Sequence, residues 1–249
     1  MDKCVNLFIY VTPESNTTND RIDKLIAEAI KIWGKCDIGK IKFINKGVLQ
    51  IPMDPNRNAE YTFHENEISL VGGTTRDRLP QKVKNLLDTR PNCGETDIAV
   101  YFVGGKHTFT DSRIANAFTH VKNEHTEYSI ILTESANSRN FAHELGHVLF
   151  FRKFDPDPQS PRHWIDDDPD SQRNPSDPAH NTNPSNLMFP GGGTDITSVQ
   201  CQTAYDSILN KECPPPSIAT ASRIPEQIDV FWINKNGEVM TNFWSQHWG

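Results

Sequence analysis

Residues 143–147 read His-Glu-Leu-Gly-His. On a helix, positions i and i+4 lie one above the other on the same face. His143 and His147 can then present two imidazole nitrogens to one metal ion, with Glu144 beside them at the mouth of the site. The flanks supply what such a helix needs. Upstream, residues 128–133 form a short β-branched and apolar run, read as a strand. Asn137 or Ser138 can cap the helix that follows, and Phe141, Ala142, Leu145, Val148 and Leu149 would pack it onto that strand.

H-E-x-x-H is a zinc-hydrolase pattern: two neutral nitrogen ligands and a carboxylate that takes a proton from metal-bound water. The ion would polarise a scissile carbonyl, and Glu144 would pass its proton to the leaving amine. Two histidines do not complete a catalytic zinc site, which usually has three protein ligands. Downstream, residues 180–188 read His-Asn-Thr-Asn-Pro-Ser-Asn-Leu-Met. The order of strand, H-E-x-x-H helix, later histidine and Asn-Leu-Met turn resembles the metzincin clan of zinc endopeptidases, over residues 4–210. The resemblance implies an α/β (α+β) fold, with a twisted mixed sheet, an active-site helix and a C-terminal helix. It implies zinc-dependent hydrolysis of peptide bonds and a structural Met-turn in which Met188 forms an apolar floor under the metal. It also implies that an extended polypeptide substrate adds a strand at an antiparallel edge, for which residues 114–120 are the candidate.

The chain departs from the long clan motif H-E-x-x-H-x-x-G-x-x-H. Phe150 stands where the glycine would be and Lys153 where the third ligand would be. A charged ammonium offers no lone pair. The third ligand must therefore come from later, with Asp155, Asp157, His163 and His180 as candidates. His180 is favoured, because the clan places its last ligand a few residues before the Met-turn, and His163 is next. A gluzincin-like glutamate ligand would have to be Glu212 or Glu226. Phe189-Pro190 stand where a tyrosine often follows the turn. A non-catalytic zinc-containing binding protein is the alternative function, and Glu144 argues against it, since a binding-only site needs no base.

The chain has 249 residues and a formal net charge of −7, which excludes nucleic-acid binding through a basic face. No apolar run approaches the roughly 18–20 residues of a membrane span, and the first residues lack a signal-peptide core. The expectation is a secreted monomer without membrane or nucleic-acid partners. Its five cysteines, Cys4, Cys36, Cys93, Cys201 and Cys213, show no CxxC spacing. One or two disulfides are expected, with Cys201 and Cys213 as a candidate local pair.

Along the chain the pattern is α/β. Strands are read at 4–11, 41–51 and 97–103, and a helix from Asn19 carries Ile22, Leu25, Ile26, Ala29, Ile30 and Trp33 as its apolar stripe. Residues 52–95 are polar and irregular, with one helix around 81–87. His107, His120 and His125 are read as loop and surface residues. The 154–195 insertion is rich in Asp, Asn, Pro and Gly. Its Asp155, Asp157, Asp166, Asp167, Asp168 and Asp170 are candidate Ca²⁺ ligands, without EF-hand spacing. The glycines 191–193 read as a cleft wall, and Thr194 or Asp195 as the start of a last helix running to about Asn210.

Three segments result: a peptidase-like domain at 1–213, a Pro-rich linker at 214–227 and a β-hairpin at 228–249. The hairpin resembles one repeat of the tryptophan-rich β-propeller lectin-like modules. One repeat cannot bury its own faces, so the chain is read either as part of a longer protein or as packing this hairpin on the first domain.

Overall fold

A computed structural model describes residues 2–37, 39–52, 54–68, 79–106, 108–109, 117–121, 128–153, 164–165, 167–207, 209–213, 218–224, 227–233 and 239–245. The chain divides into two compact units, residues 1–211 and 212–249.

The first unit opens with strand β1 (Lys3–Val11), helix α1 (Asn19–Trp33) and strand β2 (Ile41–Gln50). Two small helices follow, α2 (Asn58–Tyr61) and α3 (Gln81–Asp88). Strands β3 (Ile98–Phe102), β4 (Ala117–Val121) and β5 (Tyr128–Leu132) lead into the long helix α4 (Ser138–Phe150). After it come the short strands β6 (Arg152–Lys153), β7 (Trp164–Ile165), β8 (Arg173–Asn174) and β9 (Asp177–Asn181). Helix α5 (Ser198–Tyr205) and strand β10 (Lys211–Glu212) come last.

The main sheet runs β10-β1-β3-β5-β4, with β2 also paired to β1. β1 pairs parallel with β2 and β3, and β3 with β5, whereas β4 pairs antiparallel with β5 at the sheet's edge. Alternation along each strand feeds two cores. Val5, Leu7, Ile9, Ile98, Val100, Phe102, Ile130 and Leu132 face one side, where α1, α4 and α5 pack. Tyr10, Ala99, Tyr101 and Ile131 face the other, which Tyr61, Phe63, Val83, Leu86 and Leu87 cover. Both faces of β3 and β5 are therefore buried, as the near-continuous apolar runs of parallel strands require.

Helix α1 starts at Thr18, whose side chain accepts the Arg21 N–H. Its buried face consists of Ile22, Leu25, Ile26, Ala29, Ile32 and Trp33, and Ile30 is 37% exposed. This corrects the stripe expected from sequence. Ile30 lies about 100° from the centre of the buried arc, so Ile32 on the other flank takes its place.

Three further expectations are revised. The last helix begins at Ser198, capped by Thr197 in a capping box with Gln200, and ends at Tyr205. Thr194 and Asp195 cannot open it, because the Leu187 N–H donates to the Asp195 carbonyl and holds that segment against the preceding turn. The irregular 52–95 stretch holds α2 as well as α3. Cys201 does not pair with Cys213. It bonds Cys36 across 165 residues, because α5 folds back onto the end of α1. Cys4 and Cys213 are also disulfide-bonded, and Cys93 is free. These disulfides are compatible with an oxidising compartment. Among the described residues, no helix is long and apolar enough to cross a membrane.

The second unit is a three-stranded antiparallel sheet: β11 (Ile218–Ile224), β12 (Gln227–Ile233) and β13 (Val239–Ser245). β12 and β13 are the two arms of the expected hairpin, and β11 occupies part of the segment read as a linker. The turn read at 234–237 lies outside the described residues.

Candidate metal centre

The site is built on α4. Asn137 caps it, its side chain accepting the Asn140 N–H at 3.0 Å while the Asn140 side chain accepts the Asn137 N–H at 3.1 Å. This reciprocal pair satisfies two of the donors that a helix start leaves open. One face of α4 packs on the sheet through Phe141, Leu145, Val148 and Leu149. The helix passes through Phe150, which meets the Trp33 ring edge-on at 6.0 Å, and the chain then extends into β6. Lys153 thus sits on a strand whose backbone pairs with β7.

His143 and His147 lie one turn apart on α4, with Nε2 atoms 3.1 Å apart. His180 arrives from β9. Its ring stacks on His143, with centroids 5.3 Å apart and planes 15° apart, and stands edge-on to His147 at 5.0 Å. One ligand atom from each of the three lies within 4.8 Å of the others, so the structure positions three histidines to bind a metal ion. The donor set fits a tetrahedral ion. Metal–nitrogen bonds of about 2.0–2.1 Å at tetrahedral angles put ligand nitrogens roughly 3.3 Å apart.

The imidazoles are held in a ligand-ready form. His143 Nδ1–H donates to the Leu187 carbonyl at 2.7 Å, which leaves Nε2 with its lone pair toward the other rings. His180 Nδ1–H donates to Asp177 Oδ2 at 2.7 Å, with the same consequence. His147 Nδ1 is buried and finds no partner among the described residues. Burial pushes the His143 pKa down to about 3, with a further push from the Arg139 charge. Burial and the neighbouring His143, His180 and Arg139 charges hold His147 well below its ordinary value. Both rings are therefore neutral near pH 7, as metal ligation requires. Glu144, next to His143, is 8% exposed.

The turn beneath these residues is tied to the helix from both directions. Arg139, one turn before His143, donates through Nη2 to the Leu187 carbonyl at 2.8 Å and to the Phe189 carbonyl, and through Nε to the Gly193 carbonyl at 3.3 Å. The Met188 side chain is fully buried. A Cβ on Gly146 would stand 2.5 Å from Met188 Sδ, so the thioether lies directly against the glycine of the helix motif. Below the turn, the side-chain amides of Asn186 and Gln200 pair in both directions at 3.0 Å. Gln200 also donates to the buried Asp168 carboxylate at 2.7 Å.

Among the other candidates, Asp155, Asp157, His163, Asp166 and Glu226 lie outside the described residues, as do His107 and His125. His120 is on β4, and Glu212 is exposed on β10. The Asp168 carboxylate is taken up by Gln200, Asn181 and the Asp170 N–H, and Asp170 accepts the Gln172 N–H. Asp167 pairs with Arg173. Among the described residues, the three histidines are the one group placed to hold a metal. Arg139 and Asp177 were not singled out from the sequence, since Arg139 reads as an ordinary surface position of an amphipathic helix and Asp177 as one more loop acid.

No protein-family model matches the sequence, and no curated protein matches it. The solved structures similar to it include a metalloproteinase-II from Bacteroides fragilis, at 12% identity and a TM-score of 0.46. The match covers 81% of this chain and 52% of that one, so the chain spans about half the length of its neighbour. Likeness at that level assigns no residue a role.

Proposed function

We propose that this protein is a zinc-dependent endopeptidase of metzincin type, with His143, His147 and His180 as metal ligands and Glu144 as the general base. The observation that carries the reading is the convergence of three imidazoles from two separate elements beside a carboxylate on the same helix. Bound zinc would supply Lewis-acid polarisation of the scissile carbonyl and bring the pKa of a water molecule down to about 7.

The chain's own residues divide the remaining work. Glu144 accepts the proton of the attacking water and delivers it to the leaving amine. Met188, wedged against Gly146, is the apolar floor that keeps the ligand rings from collapsing inward. Arg139 keeps the floor in place by holding three carbonyls of the turn. β4 pairs with β5 alone among the described strands, and its outer edge is where an extended polypeptide would add a strand. Its disulfides fit a secreted enzyme, and the expected working form is the monomer.

The test is cleavage of an unstructured protein such as casein by wild type and Glu144→Ala, each loaded with zinc. The variant should retain its metal and lose turnover by about 10³-fold or more. A chelator should abolish wild-type activity, and added zinc should restore it. A folded, zinc-loaded wild type that cuts no peptide would overturn the reading and leave a metal-holding binding protein.

A further inference from the structure

The three ligand rings differ in what holds them. His143 is locked by a backbone carbonyl inside the core, and His147 is packed in the helix with no partner at Nδ1 among the described residues. His180 is the outlier. Its side chain is 24% exposed, and it sits on a two-residue-wide hairpin rather than on a long helix. A ring in that position needs its own partner if its Nε2 is to stay aimed at a metal.

The local backbone is arranged to give it one. Arg173 pairs with Asn181 and Asn174 pairs with Asp177, so Pro178, Ala179 and His180 are extra residues bulged out of β9 between two consecutive pairs. In a regular strand, residues i and i+3 point to opposite faces and could not touch. Here the bulge turns His180 back on Asp177, and Nδ1 meets Oδ2 at 2.7 Å. Bulges of this kind re-aim side chains next to active sites. The buried Asp168 grips both ends of the bulge: its N–H donates to the Pro178 carbonyl at 2.8 Å, and its Oδ2 accepts from Asn181 Nδ2 at 2.8 Å. The backbone is thus fixed by Asp168, which leaves the ring's rotation and its tautomer to be set by Asp177.

We infer that Asp177 is a positioning residue for the metal centre, its carboxylate holding the Nδ1–H tautomer of His180 so that Nε2 faces the His143 and His147 nitrogens. The inference rests on the three-histidine reading given above. A carboxylate behind a ligating histidine orients the ring and raises its basicity, and losing it typically weakens metal affinity 10–100-fold. A plain surface ion pair is the competing account. Asp177 is 46% exposed, and such pairs add little to stability, so its variants should fold.

The experiment compares wild type, Asp177→Ala, Asp177→Asn, Asp177→Glu and His180→Ala. Zinc affinity is read by competition with a chelator of known strength, and the His180 tautomer of the metal-free protein by ¹⁵N-detected NMR. Asp177→Ala and Asp177→Asn should bind zinc 10–100-fold more weakly. They should also shift His180 toward the Nε2–H form without changing the melting temperature, and Asp177→Glu should recover part of the affinity. Wild-type affinity and tautomer in Asp177→Ala, with His180→Ala still losing zinc, would overturn the role of Asp177 alone. A wild type that binds no zinc would overturn the metal-centre reading and this inference with it.

Discussion

At the scale of single residues, the motif's middle positions carry as much constraint as its ends. Gly146 has no role in a two-histidine pattern, yet its missing side chain is the space into which Met188 Sδ fits. Gly146→Ala should therefore destabilise the protein by roughly 1–3 kcal/mol through overpacking, since Met188 is fully enclosed and must repack. Calorimetry of the single variants and of Gly146→Ala/Met188→Ala checks this. The double variant should be less destabilised than the sum of the two, because removing the thioether vacates the space the new methyl needs. His143 and His147 were legible because one helical turn fixes their geometry. The Gly146–Met188 contact was not, because it joins positions 42 residues apart in a turn whose path no periodicity describes.

At the scale of elements, the same divide recurs. Strand β1, helix α1 and helix α4 were readable because alternation and a 3.6-residue stripe leave a direct mark on sequence. Even so, the edge of the α1 stripe was read as Ile30 where Ile32 is buried, since the two isoleucines stand on opposite flanks of the arc. The β9 bulge left no mark, because its form depends on contacts with Asp168, which precedes it by ten residues. Helix α4 and the Met188 turn are joined chiefly by Arg139. Arg139→Met should take the side-chain donor from the Phe189 and Gly193 carbonyls, leave Leu187 with His143 alone, and cost about 3 kcal/mol. Arg139→Lys should recover only a fraction, because a single ammonium cannot reproduce the guanidinium fork. Chemical denaturation of the three proteins gives the ranking directly.

For the whole molecule, the arrangement of layers was legible, but the long-range closures were not. The Cys36–Cys201 bridge depends on α5 returning to the end of α1, a fact about tertiary path that cysteine spacing does not encode. Global stability should also carry the signature of the buried rings. His143 has a folded pKa of about 3 and His147 one well below its ordinary value, so both are neutral when folded. In the unfolded chain they protonate below about pH 6.5, and the unfolded state then binds more protons. Stability of the metal-free protein is thus full above that pH and falls as acid is added. Each ring contributes at most about 1.4 kcal/mol per pH unit, and the His143 share levels off near pH 3. Urea unfolding between pH 7.5 and 4 should show a steeper loss for wild type than for His143→Asn/His147→Asn.

The polar grip under Met188 has a temporal consequence. Asp168, Asn186 and Gln200 meet only when α5 has formed, and Cys201 beside Gln200 is the residue bonded to Cys36. A chain leaving the ribosome from its N-terminus exposes the helix bearing His143 and His147 well before His180, and His180 before the residues that brace its surroundings. The centre thus assembles only once nearly the whole first unit has been synthesised. A chain synthesised only as far as the end of α4 carries His143, Glu144 and His147 but neither His180 nor Met188, and Cys201 follows later still.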